Sequence, residues 1–227
     1  MTDVPMMAAA LTLAAGGIGT LGWIHHRDRR RASARRRSVF DDCRGLLDDA
    51  ELKIDAQSYP ELTGRFDEHS ARLKLISDTV QLRKLPVLWL AVTLEERLPW
   101  TGTFDLMIRP SNTEFYSPHW NLAESIRTPD SWEPDAVIRS DDRAAMIRRM
   151  PGLAPHVAEF LEDGRGKELL ITPRGVRLVW RVAESERGHY LAIRQPLYDQ
   201  ERLQRPDVER LLRLARGLVE HIRKDRS

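Results

Sequence analysis

Pro86-Val87-Leu88-Trp89-Leu90-Ala91-Val92-Thr93-Leu94 is the stretch whose reading decides the fold. Nine residues, rich in β-branched and aromatic types and apolar at odd and even positions alike, describe a strand buried on both faces at the centre of a sheet. Upstream, Leu73 and Leu75 alternate with polar neighbours, and Val80 and Leu82 do the same after a turn at Ser77-Asp78. Downstream, Thr103-Phe104-Asp105-Leu106-Met107-Ile108-Arg109 follows the Pro99-Trp100-Thr101-Gly102 turn. Four or five strands without an intervening helix between 59 and 116 read as antiparallel. A parallel crossover needs a dozen or more residues between strands, so a doubly wound nucleotide-binding sheet is disfavoured in this half.

Beyond the sheet, Asp207 to Arg223 sets Val208, Leu211, Leu212, Ala215, Leu218, Val219 and Ile222 at helical spacing after Pro206, predicting a C-terminal amphipathic helix. Ala136 to Arg139 reads as a strand. Ser140-Asp141-Asp142 opens a helix that Pro151 stops, and a second helix carries Leu153, Val157, Phe160 and Leu161 to Gly164. Glu168 to Thr172, Gly175 to Val182 and His189 to Arg194 read as three strands, the last two a hairpin. Residues 38 to 53 read as a short helix, with Val39, Phe40, Cys43, Leu46, Leu47 and Ala50 as its apolar stripe.

The N-terminus has a different character. Val4 to Ile24 is uncharged throughout, and as a helix rising about 1.5 Å per residue it just crosses a hydrocarbon core about 30 Å thick. Trp23 falls at the expected interface, followed by Arg27, Arg29, Arg30 and Arg31. A cleaved secretory signal would carry its charges before the apolar core, so an uncleaved anchor is the expectation. The positive-inside rule then sets the N-terminus outside a bacterial inner membrane and the C-terminal domain in the cytoplasm. The Arg run could also attract anionic lipid head groups. Ala15 and Gly19, and Gly16 and Thr20, are small residues four apart, a spacing that admits a second helix. The expected fold class is therefore α+β: a transmembrane helix, then a soluble, mainly antiparallel β domain with packed helices and a C-terminal amphipathic helix. The expected divisions are 1–26 (anchor), 27–58 (basic juxtamembrane segment and short helix) and 59–227 (cytoplasmic domain).

Charge bears on the partner. The chain has 36 Lys+Arg against 34 Asp+Glu, yet residues 1 to 40 alone hold seven Arg against Asp3 and Asp28. A nucleic-acid reader concentrates its positive charge on the folded domain, so nucleic acid is not the expected partner. The single cysteine, Cys43, excludes an internal disulfide and a multi-cysteine zinc site.

No catalytic motif stands out. The seven His show no metalloprotease spacing, and nucleophile-elbow and Walker patterns are absent. The acid pairs Asp41-Asp42, Asp48-Asp49, Glu95-Glu96 and Asp141-Asp142 point apart on either a helix or a strand. No catalytic, cofactor or metal residue is expected. Residues 117 to 135 form a long loop carrying Trp120 and Trp132, which either contact a partner or pin the loop to its own domain.

The order Ile138-Arg139-Ser140-Asp141-Asp142, two helices, Leu170-Ile171-Thr172-Pro173, Tyr190-Leu191-Ala192-Ile193-Arg194 and a terminal helix resembles uncharacterised bacterial single-pass membrane-anchored domains of unknown function, over roughly 136 to 224. The resemblance implies an architecture and a membrane-side location, and no functional residue. Together these readings lead to a non-enzymatic accessory or assembly subunit docking onto a larger integral membrane complex. The alternative is a tethered ligand-binding or sensory module with a pocket between sheet and helices near Arg109, Tyr116 and His119.

Overall fold

The structure, a computed structural model, describes residues 20, 23, 26–27, 38–54, 59–79, 85–193, 196, 198 and 202–225. Among the described residues nine strands form one sheet: β1 (Asp48–Ile54), β2 (Pro60–Phe66), β3 (His69–Asp78), β4 (Val87–Glu95), β5 (Phe104–Ile108), β6 (Glu124–Ile126), β7 (Ala136–Ser140), β8 (Gly166–Thr172) and β9 (Gly175–Glu184). Their order is β1-β2-β3-β4-β9-β8-β5-β7-β6, with each neighbouring pair antiparallel. Helices α1 (Arg143–Leu161), α2 (Arg187–Ile193) and α3 (Arg205–Lys224) accompany it.

Strand β4 sits between β3 and β9, as its doubly apolar sequence requires. Leu88, Leu90, Val92 and Leu94 join the large core under α1 and α3, while Val87, Trp89 and Ala91 form a second apolar cluster with Val179 on the opposite face. Helix α3 lies over β4 and β9 and packs against α1. Its buried stripe, Val208, Leu211, Leu212, Leu214, Ala215, Leu218, Val219 and Ile222, supplies much of that core. The tight turn between β8 and β9 needs glycine at 175. Its φ is 138°, and a Cβ there would lie 2.0 Å from the Leu94 carbonyl oxygen.

Several expectations are corrected. Among the described residues no helix is long and apolar enough to cross a membrane. The fold class with an N-terminal membrane helix, the single-pass description and the inner-membrane placement are therefore not carried forward. Of the segment 4–24 only Thr20 and Trp23 are described, both exposed. Ala15, Gly16, Gly19, Arg29, Arg30 and Arg31 lie outside the described residues. The Arg27 guanidinium sits 4.9 Å over the exposed Trp23 ring.

The short helix expected at 38–53 is instead a run of turns, a 3₁₀ segment (Arg44–Leu46) and β1, which pairs with β2 in the main sheet. Val39, Phe40, Cys43 and Leu47 are buried, but by contact with the segment before α3, where Leu203 donates to the Val39 carbonyl. Tertiary burial, not a helical face, accounts for that stripe. The Cys43 thiol is pushed up to about 11, first by burial and then by nearby Asp42. The helices expected on either side of Pro151 form one helix, α1, that passes through Pro151 and Pro155. Asp142 caps it, accepting from the Ala145 amide. Each proline removes one amide donor, and the buried Ala145, Met146, Leu153, Val157 and Phe160 bridge the interruption. Of the strand expected at 189–194, residues 189–193 belong to α2 and Arg194 lies outside the described residues, and the long loop after Ser117 includes the edge strand β6.

Candidate functional site

On the sheet face opposite α1 and α3, charged residues interrupt the apolar strands: Asp105 in β5, Glu168 in β8 and Arg177 in β9. Asp105 pairs with Leu170 and Met107 with Glu168, so Asp105 and Glu168 are diagonal neighbours on one face of the β5–β8 ladder. Glu168 lies one strand from Arg177, whose Nε donates to Glu168 Oε2 at 3.0 Å. Both acids are fully buried, because the segment 109–123 folds back over them.

That segment is fastened at Glu114. Its carboxylate accepts from the Ser111 amide (2.9 Å), the Ser111 hydroxyl (2.7 Å), the Thr113 amide (3.2 Å) and Trp120 Nε1 (3.3 Å). It also pairs with Lys167 Nζ at 2.8 Å. Lys167 is positioned by a bulge in the β8–β9 register between Gly166 and Glu168, and its ammonium also donates to the Ile108 and Arg109 carbonyls, each at 2.9 Å. Burial alone would raise the Glu114 carboxyl, but the bonds from Lys167 and Ser111 outweigh it and hold it at about 2. The chain leaves β5 through Arg109 and Asn112, both at positive φ (48° and 61°). Arg109 is tied outward to Asp135 (2.8 Å) and Glu133 (3.1 Å).

Beneath the fastened segment, Ser117 Oγ donates to Asp105 Oδ2 (3.2 Å) and accepts from the His119 amide (3.0 Å). The fully buried His119 ring brings Nδ1 to 3.4 Å from Asp105 Oδ1 without forming a hydrogen bond. Asp105 Oδ1, both His119 ring nitrogens, Glu168 Oε1 and the Tyr116 hydroxyl are buried with no hydrogen-bond partner among the described residues. Burial, reinforced by the negative field of Asp105 and opposed by Arg177, raises the Glu168 carboxyl above the usual range. Burial, then Glu168 and Glu114, raises the Tyr116 phenol, which stays protonated.

This arrangement does not assemble acyl-transfer machinery. The Ser117 hydroxyl is spent on Asp105, and no hydroxyl or thiol hydrogen-bonds a His119 ring nitrogen among the described residues. Nor is any group of three or more metal-ligating side chains assembled among them. What the fastened segment does, through Phe115 and Tyr116, is wall one end of an open groove of about 890 Å³ across β3, β4, β9 and β8. Ile76, Ala91, Leu170, Phe115 and Tyr116 give it apolar surface, and Arg72, Lys74, Arg174 and Arg177 line it with positive charge beside Glu95. Phe115 projects from the wall, 64% exposed.

Of the residues singled out in the sequence, Tyr116 and His119 belong to this site, whereas Arg109 turns to the opposite side of the wall. Trp120 is half-exposed, with its indole bonded to Glu114 and the Arg139 guanidinium 5.5 Å above its ring. Trp132 packs against the main core. The acid pairs have separate structural partners: Asp42 meets Arg202, Asp49 meets Arg65, Glu95 meets Arg72, and Glu96 meets His69 and Arg223. Asp105, Glu114, Ser117, Lys167, Glu168 and Arg177 were not anticipated. Asp105 alone carries a signal, a single charge inside the apolar run Phe104 to Ile108; Lys167 and Glu168 are adjacent charges, and Glu114 and Ser117 sit in a polar loop.

No protein-family model matches the sequence, and no curated protein matches it. Among solved structures, the chain is similar to the mycobacterial trehalose monomycolate transport factor A at 15% identity, over 85% of this chain and 96% of that one, with a TM-score of 0.36. A similarity at that level carries no argument about function.

Proposed function

We propose that the chain is a non-enzymatic accessory protein that works by binding, and that it holds its partner on the uncovered face of the sheet. The observation that carries this reading is the groove itself: about 890 Å³, apolar toward one end and positively lined toward the other, and walled by a segment locked in place through Glu114 and Lys167. A preformed concavity with few charged groups around an apolar floor is the usual form of a binding site. A wall fixed by a buried ion pair spares the partner the cost of ordering it. The buried acids serve the wall: Asp105 holds Ser117, and Glu168 holds Arg177 at the groove edge. Docking of the loaded protein onto a larger assembly is the accessory role that follows.

The test is a photo-crosslinking amino acid placed at Phe115, compared with one at Ile147, an exposed residue of α1 beyond the packed face. The reading expects a discrete adduct from position 115 that disappears when Arg72 and Arg174 are both changed to Glu. Adducts of equal yield from position 147, or none from 115, would sink it.

A further inference from the structure

The ladders order the groove by polarity along the strand direction. Arg72 faces Thr93, Thr93 faces Arg177 and Arg177 faces Leu170, making one transverse row with cations at two of its four positions. Two residues along β4, Ala91 lies between Lys74 and Val179, and two further along Trp89 pairs with Ile76. Arg174, in the turn joining β8 and β9, extends the charged end. Tyr116 packs with Ile76 on the apolar cluster at the other end. Arg181, across from Trp89, pairs with Glu184 and lies outside the groove.

Two of the four cations are already paired, Arg72 with Glu95 at 2.6 Å and Arg177 with Glu168 at 2.8 Å. Arg174 has no side-chain partner among the described residues, and Lys74 reaches Glu61 only at 3.9 Å. The groove thus carries unneutralised positive charge toward one end and uncharged apolar surface toward the other. Its floor is a sheet face whose backbone groups are consumed by the β3–β4, β4–β9 and β8–β9 ladders, so a peptide cannot add to it as a strand. The volume lies within the range of small-ligand pockets.

Resting on the binding reading above, we propose that the occupant is a free, monomeric anionic amphiphile. Its charged head lies among Arg72, Arg174 and Lys74, and its apolar body runs over Ala91 and Ile76 beneath Tyr116. The head gains Coulombic attraction from Arg174, which has no side-chain partner among the described residues, and from Lys74, whose nearest carboxylate is 3.9 Å away, while the body covers the partly exposed Ile76 and Tyr116.

The test titrates the full-length protein by calorimetry with decyl phosphate below its micelle concentration. Parallel titrations use inorganic phosphate, decyl maltoside and phosphatidylglycerol vesicles. Saturable one-to-one binding of decyl phosphate is expected, with inorganic phosphate and decyl maltoside each at least tenfold weaker. Lys74→Glu/Arg174→Glu, both exposed positions, should weaken decyl phosphate about tenfold, and Arg148→Glu on α1 should leave it unchanged. The loss should shrink as salt is added. No saturation, equal affinity for decyl maltoside, indifference to the double charge reversal, or binding to vesicles alone would each overturn the proposal. If decyl phosphate fails while the Phe115 crosslink persists, the amphiphile is wrong and the binding face stands; if both fail, the binding reading falls as well.

Discussion

The two faces of this sheet use the same strands for opposite ends. Under α1 and α3, Leu73, Leu90, Leu106, Leu178 and Trp180 interlock with Phe160, Leu211 and Leu218, and charge is nearly absent. On the other face the same strands present Arg72, Lys74, Asp105, Glu168 and Arg177 around a small apolar cluster, and among the described residues the segment 109–123 covers part of it. A face sealed by two helices is designed for stability. A face that buries unpaired polar atoms behind a fastened wall and leaves the rest open gives up stability that a well-packed apolar surface would have retained.

The contrast can be broken most forcefully from the packed side. Phe160→Ala empties a fully buried position between α1 and the sheet and should cost about 3–5 kcal/mol in urea unfolding of the whole chain. Next comes the wall: Lys167→Met leaves the Glu114 carboxylate buried without its cation and should cost about 3 kcal/mol. Hydrogen exchange should speed up selectively in 109–123. Lys167→Met with Glu114→Gln should recover part of the loss, because no buried charge is then stranded.

A gentler lever is pH. Glu168 has a folded-state pKa above its unfolded value, so its contribution is fully present below the ordinary carboxylate pKa and is lost as pH rises through the raised value. Glu168→Gln should therefore flatten the stability profile between about pH 4 and neutrality. Glu114 works in the opposite sense. Its contribution is present above the ordinary carboxylate pKa and is lost as pH falls toward about 2, so Glu114→Gln should remove an acid-side loss. The smallest effect on folding is at the groove: Arg174→Glu, on an exposed turn, should change stability by less than about 0.5 kcal/mol. It is nevertheless expected to alter binding.

How much of this was legible depends on whether the information is local. Helix α3 runs over 205–224 against the predicted 207–223, because its apolar residues repeat at helical spacing for five turns. The central place of β4 follows from its own composition. The stripe from Val39 to Leu47 misled, since its burial comes from residues about 160 positions away, as the Cys43 to Leu203 contact shows. The short apolar run at 189–194 fits a helix or a strand equally by pattern, and the structure assigns 189–193 to α2.

The site was less legible than the fold. Tyr116 and His119 could be suspected from the company of a long aromatic loop. That Asp105 and Glu168 share a face requires knowing that β5 lies beside β8 rather than beside β4, and nothing in either strand specifies that neighbour. The Lys167 contact depends on a bulge, which shifts one side chain out of the expected alternation.

Hydrogen exchange of the full-length protein with and without saturating decyl phosphate tests the division of labour between the faces most directly. The account predicts added protection in β3, β4, β8, β9 and the 109–123 wall, with α1 and α3 unchanged. Protection confined to α1 and α3, with the open face unaffected, would contradict it.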